Sequence, residues 1–346
     1  MILERTKNAK KNIFWGLINK TVKIVVPFII RTIIIYKLGE EYIGLNSLFT
    51  SILSTLSLAE LGFDTAIVAI MYRYVADEDN DIINALVNFI RKAYLWVGSI
   101  ILIAGCCCIP FLKLMINDYE SLPNDINLYV IYLLFLINTV ITYFFGGYRN
   151  SIFEAYQRQD ILSNLNTGVT LLFSLFQIYA LAVSHNYYVY LVLIILSNIV
   201  LNLLVYYVSI RRFRNVKPVG SIDNEQKKEL KKILYGTFMG KIGGVFSNSV
   251  DNMVVSAFLG VTILAYYTNY YYVVTALQSI LVTIYISLQA GIGNSIALET
   301  KEKNYKDMIK FTFMFNWIVG WCSICMMILF QPFIKLWVGK NAILPY

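Results

Sequence analysis

The residues in this chain able to do chemistry are polar groups set in apolar surroundings. Lys20, Lys23, Pro27 and Arg31 follow one another at i, i+3, i+7 and i+11 inside the apolar run at 13–36. At 100° per residue this spacing holds all four in a narrow sector of one helix face, with Gly16 and Asn19 close to it. Lys241, Gly244, Asn248 and Asn252 repeat the same intervals inside the run at 233–259. A charge within a membrane span costs about 2.5–3.5 kcal/mol on insertion scales. Such a stripe therefore turns toward a water-filled cavity or another helix, and its chemistry is binding. The competing explanation for Lys20 and Lys241 is snorkelling to headgroups about two turns away. Gly236, Gly240 and Gly244, spaced by four, suit close helix packing.

Acidic groups also fall in apolar runs. Glu60 and Asp64 are four apart, which places them on one face of a helix, and Asp251 lies beside Asn252. They are candidates to carry a coupling proton or sodium ion. Their alternative role is to neutralise the bases of the first run.

Enzyme signatures are absent. GTFMGKI at 236–242 is one residue short of a phosphate loop and lacks the Ser or Thr after its lysine. His185 is the single histidine, placed in a short loop, and no G-x-S-x-G occurs. The five cysteines, Cys106, Cys107, Cys108, Cys322 and Cys325, all sit in apolar runs, so Cys322-x-x-Cys325 reads as small buried thiols. Neither a cofactor nor a metal nor catalysis is expected, and no nucleic-acid surface.

The elements that must position these residues are membrane helices. The 346 residues are 58% hydrophobic and 14% charged, with a mean hydropathy of +0.62, against ~25% charged in a soluble domain. Nine spans are predicted, at about 13–36, 43–71, 93–116, 126–148, 162–184, 187–210, 233–259, 262–296 and 311–334. With the N-terminus inside, 21 of the 29 Lys and Arg fall on the inner side and 4 outside. That bias supports the span count and accounts for the net charge of +8. The expected class is an all-α polytopic protein built as a six-helix bundle at 1–210, a basic linker at 211–232 with a helix starting at Ser221, and a second bundle at 233–346.

The second part echoes the first. Pro110-Phe-Leu-Lys113 matches Pro332-Phe-Ile-Lys335, Leu38-Gly39 matches Leu259-Gly260, and Lys20 falls on Lys241. Both parts enter from the same side, which makes this a parallel repeat. By that symmetry three more helices are expected after Tyr346, to complete a twelve-helix plan.

Three stretches carry a family resemblance: LNSLFTSILSTLSLAELGFDTAIVAIMYR at 45–73, NSVDNMVVSAFLGVTILAYYTNYYYV at 248–273 and QPFIKLWVG at 331–339. They resemble bacterial polysaccharide-biosynthesis membrane proteins, the Wzx-type lipid-linked oligosaccharide flippases of the multidrug/oligosaccharidyl-lipid/polysaccharide exporter superfamily. The resemblance implies a MATE-like pair of bundles facing a V-shaped cavity lined by the first and seventh spans. It implies that an undecaprenyl-pyrophosphate-linked oligosaccharide moves across the bacterial cytoplasmic membrane, with the N-terminus cytoplasmic. On this view Lys20, Lys23, Arg31 and Lys241 attract the pyrophosphate, and Asn248 and Asn252 hydrogen-bond sugars. The partners implied are the lipid-linked oligosaccharide, membrane lipids and a polysaccharide polymerase. A drug exporter of the same superfamily, or a non-transporting partner of the polysaccharide machinery, is the alternative.

Overall fold

The computed structural model describes residues 5–57, 62–117, 119, 122–123, 125–298 and 300–343; side chains at 5–10, 240–242, 245–248, 284, 286–298 and 341 lie outside that description. Within it the chain is helical, without a strand. The helices are α1 (Arg5–Lys37), α2 (Glu40–Leu56), α3 (Phe63–Ala76), α4 (Asn80–Cys108), α5 (Leu128–Phe144), α6 (Asn150–Ala155), α7 (Gln159–Ala182), α8 (Tyr187–Arg212), α9 (Asn224–Leu259), α10 (Val261–Leu298) and α11 (Lys301–Trp337).

Local chemistry sets many of the starts. Asp79, Asn127, Asn186 and Thr300 accept hydrogen bonds from backbone N–H groups in the first turns of α4, α5, α8 and α11. Each such cap is worth about 1 kcal/mol. The helix after the linker starts three residues beyond the expected Ser221. Asp223 caps α9, and Gln226 returns a hydrogen bond to it, completing a capping box.

Among the described residues five helices are long and apolar enough to cross a membrane, at Lys11–Lys37, Asn80–Met115, Gln159–Ala182, Tyr187–Arg212 and Lys301–Trp337. A sixth is the pair Leu128–Phe144 and Gly147–Ala155, bent by 49°. This is an all-α multi-pass membrane protein. One of the nine expected spans is divided. The run at 43–71 is not one helix: α2 ends at Leu56, Gly62 takes a left-handed conformation at φ 97°, and α3 starts at Phe63. Among the described residues α9 contributes the apolar stretch Ser249–Leu259.

The chain forms two compact units, Met1–Leu264 and Ala265–Tyr346. In the first, α1 packs on α7, α7 on α8, α8 on α5 and α5 on α4, while α2 touches α1, α4, α5 and α9. Leu45, Leu48 and Phe49 of α2 are fully buried. Phe49 meets Tyr132 of α5 edge-on at 5.4 Å, and the Tyr132 hydroxyl donates to the Gly105 carbonyl at 3.0 Å. Where the chain bends after α5, the Arg149 guanidinium is buried, stacks on Tyr206 at 4.4 Å and donates to Ser209 Oγ at 3.1 Å.

In the second unit the sequence-adjacent tyrosines serve packing. Tyr270 donates to Gln331 Oε1 at 2.6 Å and meets Phe330 edge-on at 5.0 Å, joining α10 to α11. An apolar groove of about 290 Å³ lies between them, lined by Leu277, Cys322, Cys325 and Phe330 among others. Both thiols are free.

Candidate functional site

The basic stripe lies on one unbroken helix, since α1 runs through Pro27 without interruption. Its packing face is marked by Asn12, Asn19, Ile30 and Ile34. Asn12 donates to the Gln157 carbonyl at 3.1 Å, and Asn19 donates to Thr167 Oγ1 at 3.1 Å and the Ser163 carbonyl at 3.3 Å on α7. Asn19, Ile30 and Ile34 are buried. At 100° per residue Lys20, Pro27 and Arg31 lie roughly 55–95° round the helix from the centre of that face, and Lys23 lies within about 15° of it. Lys20 and Arg31 are half-buried, and Lys23 and Pro27 are exposed. Asn19, expected near the stripe, is spent on helix packing.

Arg31 interacts electrostatically with Tyr190, a buried residue of α8. One helical turn earlier on α8, the Tyr187 hydroxyl donates to the Tyr42 carbonyl of α2 at 3.5 Å. Tyr187 stands 5.6 Å from Tyr190 and 4.9 Å from Tyr42, ring to ring. These contacts draw the far end of the α1 stripe and the start of α2 onto a single aromatic cluster.

The second stripe is divided. Lys241 and Asn248 lie on α9, with side chains outside the described residues. Asn252 is half-buried and donates to Ser51 Oγ on α2 at 2.8 Å. Asp251 is exposed. The helices of the two stripes share a neighbour, because α2 packs against both α1 and α9. The α2–α3 segment is closely approached at both ends, by the first residue of α10 and by α9. A Cβ on Gly44 would collide with the Val261 carbonyl, and one on Gly62 would collide with Thr237 Oγ1. Ser256 of α9 also donates to the Met115 carbonyl at 2.8 Å, and Asn117 Nδ2 donates to the Phe258 carbonyl at 3.0 Å.

Of the acidic candidates, Glu60 lies outside the described residues. Asp64 sits in the first turn of α3 and accepts a 2.5 Å hydrogen bond from the Tyr94 hydroxyl of α4. Gly62, two residues before Asp64, is left-handed and caps α3. Among the described residues no group of His, Cys, Asp and Glu could hold a metal ion. His185 occupies an exposed turn at φ 49°, as its loop position suggested.

The structure adds polar residues that sequence reasoning passed over. Asn46, Thr50 and Ser54 follow each other at intervals of four on α2, the helix between the two stripes. Thr50 donates to Asn46 Oδ1 at 3.3 Å, and Thr50 and Ser54 are exposed. Their spacing was a readable signal, hidden among the serines and threonines of this segment.

Comparison with known proteins follows from this geometry. The model of the polysaccharide biosynthesis protein family matches residues 9–288. A crystal structure of a MATE protein in the bent conformation superposes with a TM-score of 0.56 at 16% identity, covering 97% of this chain and 76% of that one. At that identity the likeness shows the fold. No functionally curated protein matches the chain.

Proposed function

Since the chain belongs to the polysaccharide biosynthesis protein family, we propose that it is a flippase for an undecaprenyl-pyrophosphate-linked oligosaccharide in the bacterial cytoplasmic membrane. The observation that carries this reading is the basic edge of α1. Lys20, Lys23 and Arg31 sit on a continuous membrane helix, next to a helix bearing the exposed hydroxyls of Thr50 and Ser54. Cations suit a pyrophosphate, and hydroxyls and amides suit sugars. In the proposed mechanism the pyrophosphate meets Lys20, Lys23, Arg31 and Lys241, while Thr50, Ser54, Asn248 and Asn252 face the sugars. Rocking of the helix bundles about the α2–α9 seam exposes the headgroup first to one leaflet and then to the other. Glu60, Asp64 and Asp251 are the proposed ion-coupling groups, and a polysaccharide polymerase is the proposed downstream partner.

The competing reading is a drug exporter, for which acidic lining residues suit cationic substrates. The stripe on α1 is basic, which favours the anionic substrate. Binding of undecaprenyl pyrophosphate to the purified chain tests the choice. The Lys20→Ala and Lys241→Ala variants are expected to bind it more weakly. Unchanged binding in both would remove the site proposed here.

A further inference from the structure

A second group of cations lies at one end of the α1, α7 and α8 spans. Arg158 precedes α7 and grips Asp160 through two hydrogen bonds, Nε to Oδ1 at 2.8 Å and Nη2 to Oδ2 at 2.9 Å. Both side chains are nearly buried, at 13% and 8% exposure. Asn12 of α1 locks the pair in place: its Oδ1 accepts from the Asp160 N–H at 2.7 Å, and its Nδ2 donates to the Gln157 carbonyl. Lys11 of α1 and Arg212 of α8 both act electrostatically on the Asp160 carboxylate, and Arg212 is also repelled by Arg158. Two further cations thus lie near a carboxylate that Arg158 already occupies. Lys11 and Arg212 are exposed, and neither makes an ion pair of its own among the described residues.

The depth of the cluster identifies its counter-anion. Lys11 opens the α1 span, Gln159 opens the α7 span and Arg212 closes the α8 span, so the excess charge stands at headgroup level. Apolar groups continue from it into the bilayer. Ile13 and Phe14 follow Lys11 with exposures of 64% and 59%, and Ile210 and Tyr207 precede Arg212. Arg211 lies over the exposed Tyr207 ring at 4.4 Å. A soluble anion would leave those apolar groups unused, whereas a phospholipid covers them with its chains while its phosphate meets the cations.

We infer that Lys11 and Arg212, held around the Arg158–Asp160 pair, form a binding site for the phosphate of an anionic phospholipid. This site is separate from the α1 stripe and does not depend on the transport reading. Each cation close to an anionic leaflet contributes about 1 kcal/mol, or roughly fivefold in affinity.

The test uses the full chain in nanodiscs of phosphatidylcholine carrying spin-labelled phosphatidylglycerol. The wild-type chain is expected to immobilise a fraction of the label, and Lys11→Gln/Arg212→Gln to weaken that retention at least tenfold. Lys227→Gln/Lys228→Gln, which removes two exposed cations of the linker end of α9, is expected to leave it unchanged. Equal retention by wild type and Lys11→Gln/Arg212→Gln would overturn the proposal, as would an equal loss in both double variants. Displacement of the label by millimolar inorganic phosphate would overturn the lipid as its ligand. Melting temperature checks that each variant is folded; Arg158→Gln supplies the contrast, since breaking the buried pair lowers it.

Discussion

Asn252 of α9 donates a 2.8 Å hydrogen bond to Ser51 of α2, across 201 residues of chain. It ties α9 to α2, helices far apart in sequence within one compact unit. A residue assigned to sugar contact from its spacing is therefore also part of the seam on which the proposed motion turns. In a double-mutant cycle of Asn252→Ala and Ser51→Ala, the coupling energy from unfolding in detergent is expected near 0.6–1 kcal/mol, the usual worth of such bonds between membrane helices. A coupling of zero would show that the two residues meet without depending on each other.

The seam is also steric. Gly62 is left-handed, and Thr237 stands where its Cβ would be. Gly62→Ala combines backbone strain with a collision and is expected to cost about 1–3 kcal/mol. Gly16→Ala, on α1 with open space around it, is expected to be neutral or slightly stabilising. Thermal unfolding of the two variants side by side checks this, and equal melting temperatures would contradict the close approach of α3 and α9.

The 2.5 Å bond between Tyr94 and Asp64 clamps α3 to α4. Tyr94→Phe is expected to lose about 1.5–3 kcal/mol, as for a hydrogen bond to a carboxylate. If Asp64 also carries the coupling ion, Asp64→Asn flattens the pH dependence of transport while Tyr94→Phe shifts its midpoint. Identical pH profiles for wild type and both variants would limit Asp64 to a structural role.

Arg149 is a buried cation held by the faces of tyrosines and by Ser209 Oγ. A lysine cannot reproduce the planar stacking, so Arg149→Lys is expected to destabilise by about 2 kcal/mol or more despite keeping the charge. A melting temperature equal to that of wild type would show that charge alone suffices there.

Part of this was readable before any coordinates. The register of Lys20, Lys23 and Arg31 needs only a continuous helix, and α1 is continuous through Pro27. The start of α9 was readable to within three residues because a capping box is local chemistry. The break between α2 and α3 was not, since the apolar pattern runs on through Gly62 and the helix that crowds it, at Thr237, lies far along the chain. The partner of Asn252 was hidden for the same reason. Asn46, Thr50 and Ser54 were legible in principle, but hydroxyls in a membrane segment usually bond their own backbone. Ser47, Thr55 and Ser57 in the same stretch do so, and nothing in the sequence separates the two kinds.

The central claim is that the basic edge of α1 moves an anionic lipid headgroup. Translocation of a fluorescent undecaprenyl-pyrophosphate oligosaccharide in proteoliposomes, comparing the wild-type chain with Lys20→Gln/Lys23→Gln/Arg31→Gln, tests it most directly. The expected result is transport by the wild type and at least a tenfold lower rate in the folded triple variant. Transport at the wild-type rate without those three charges, or none by the wild type, would contradict it.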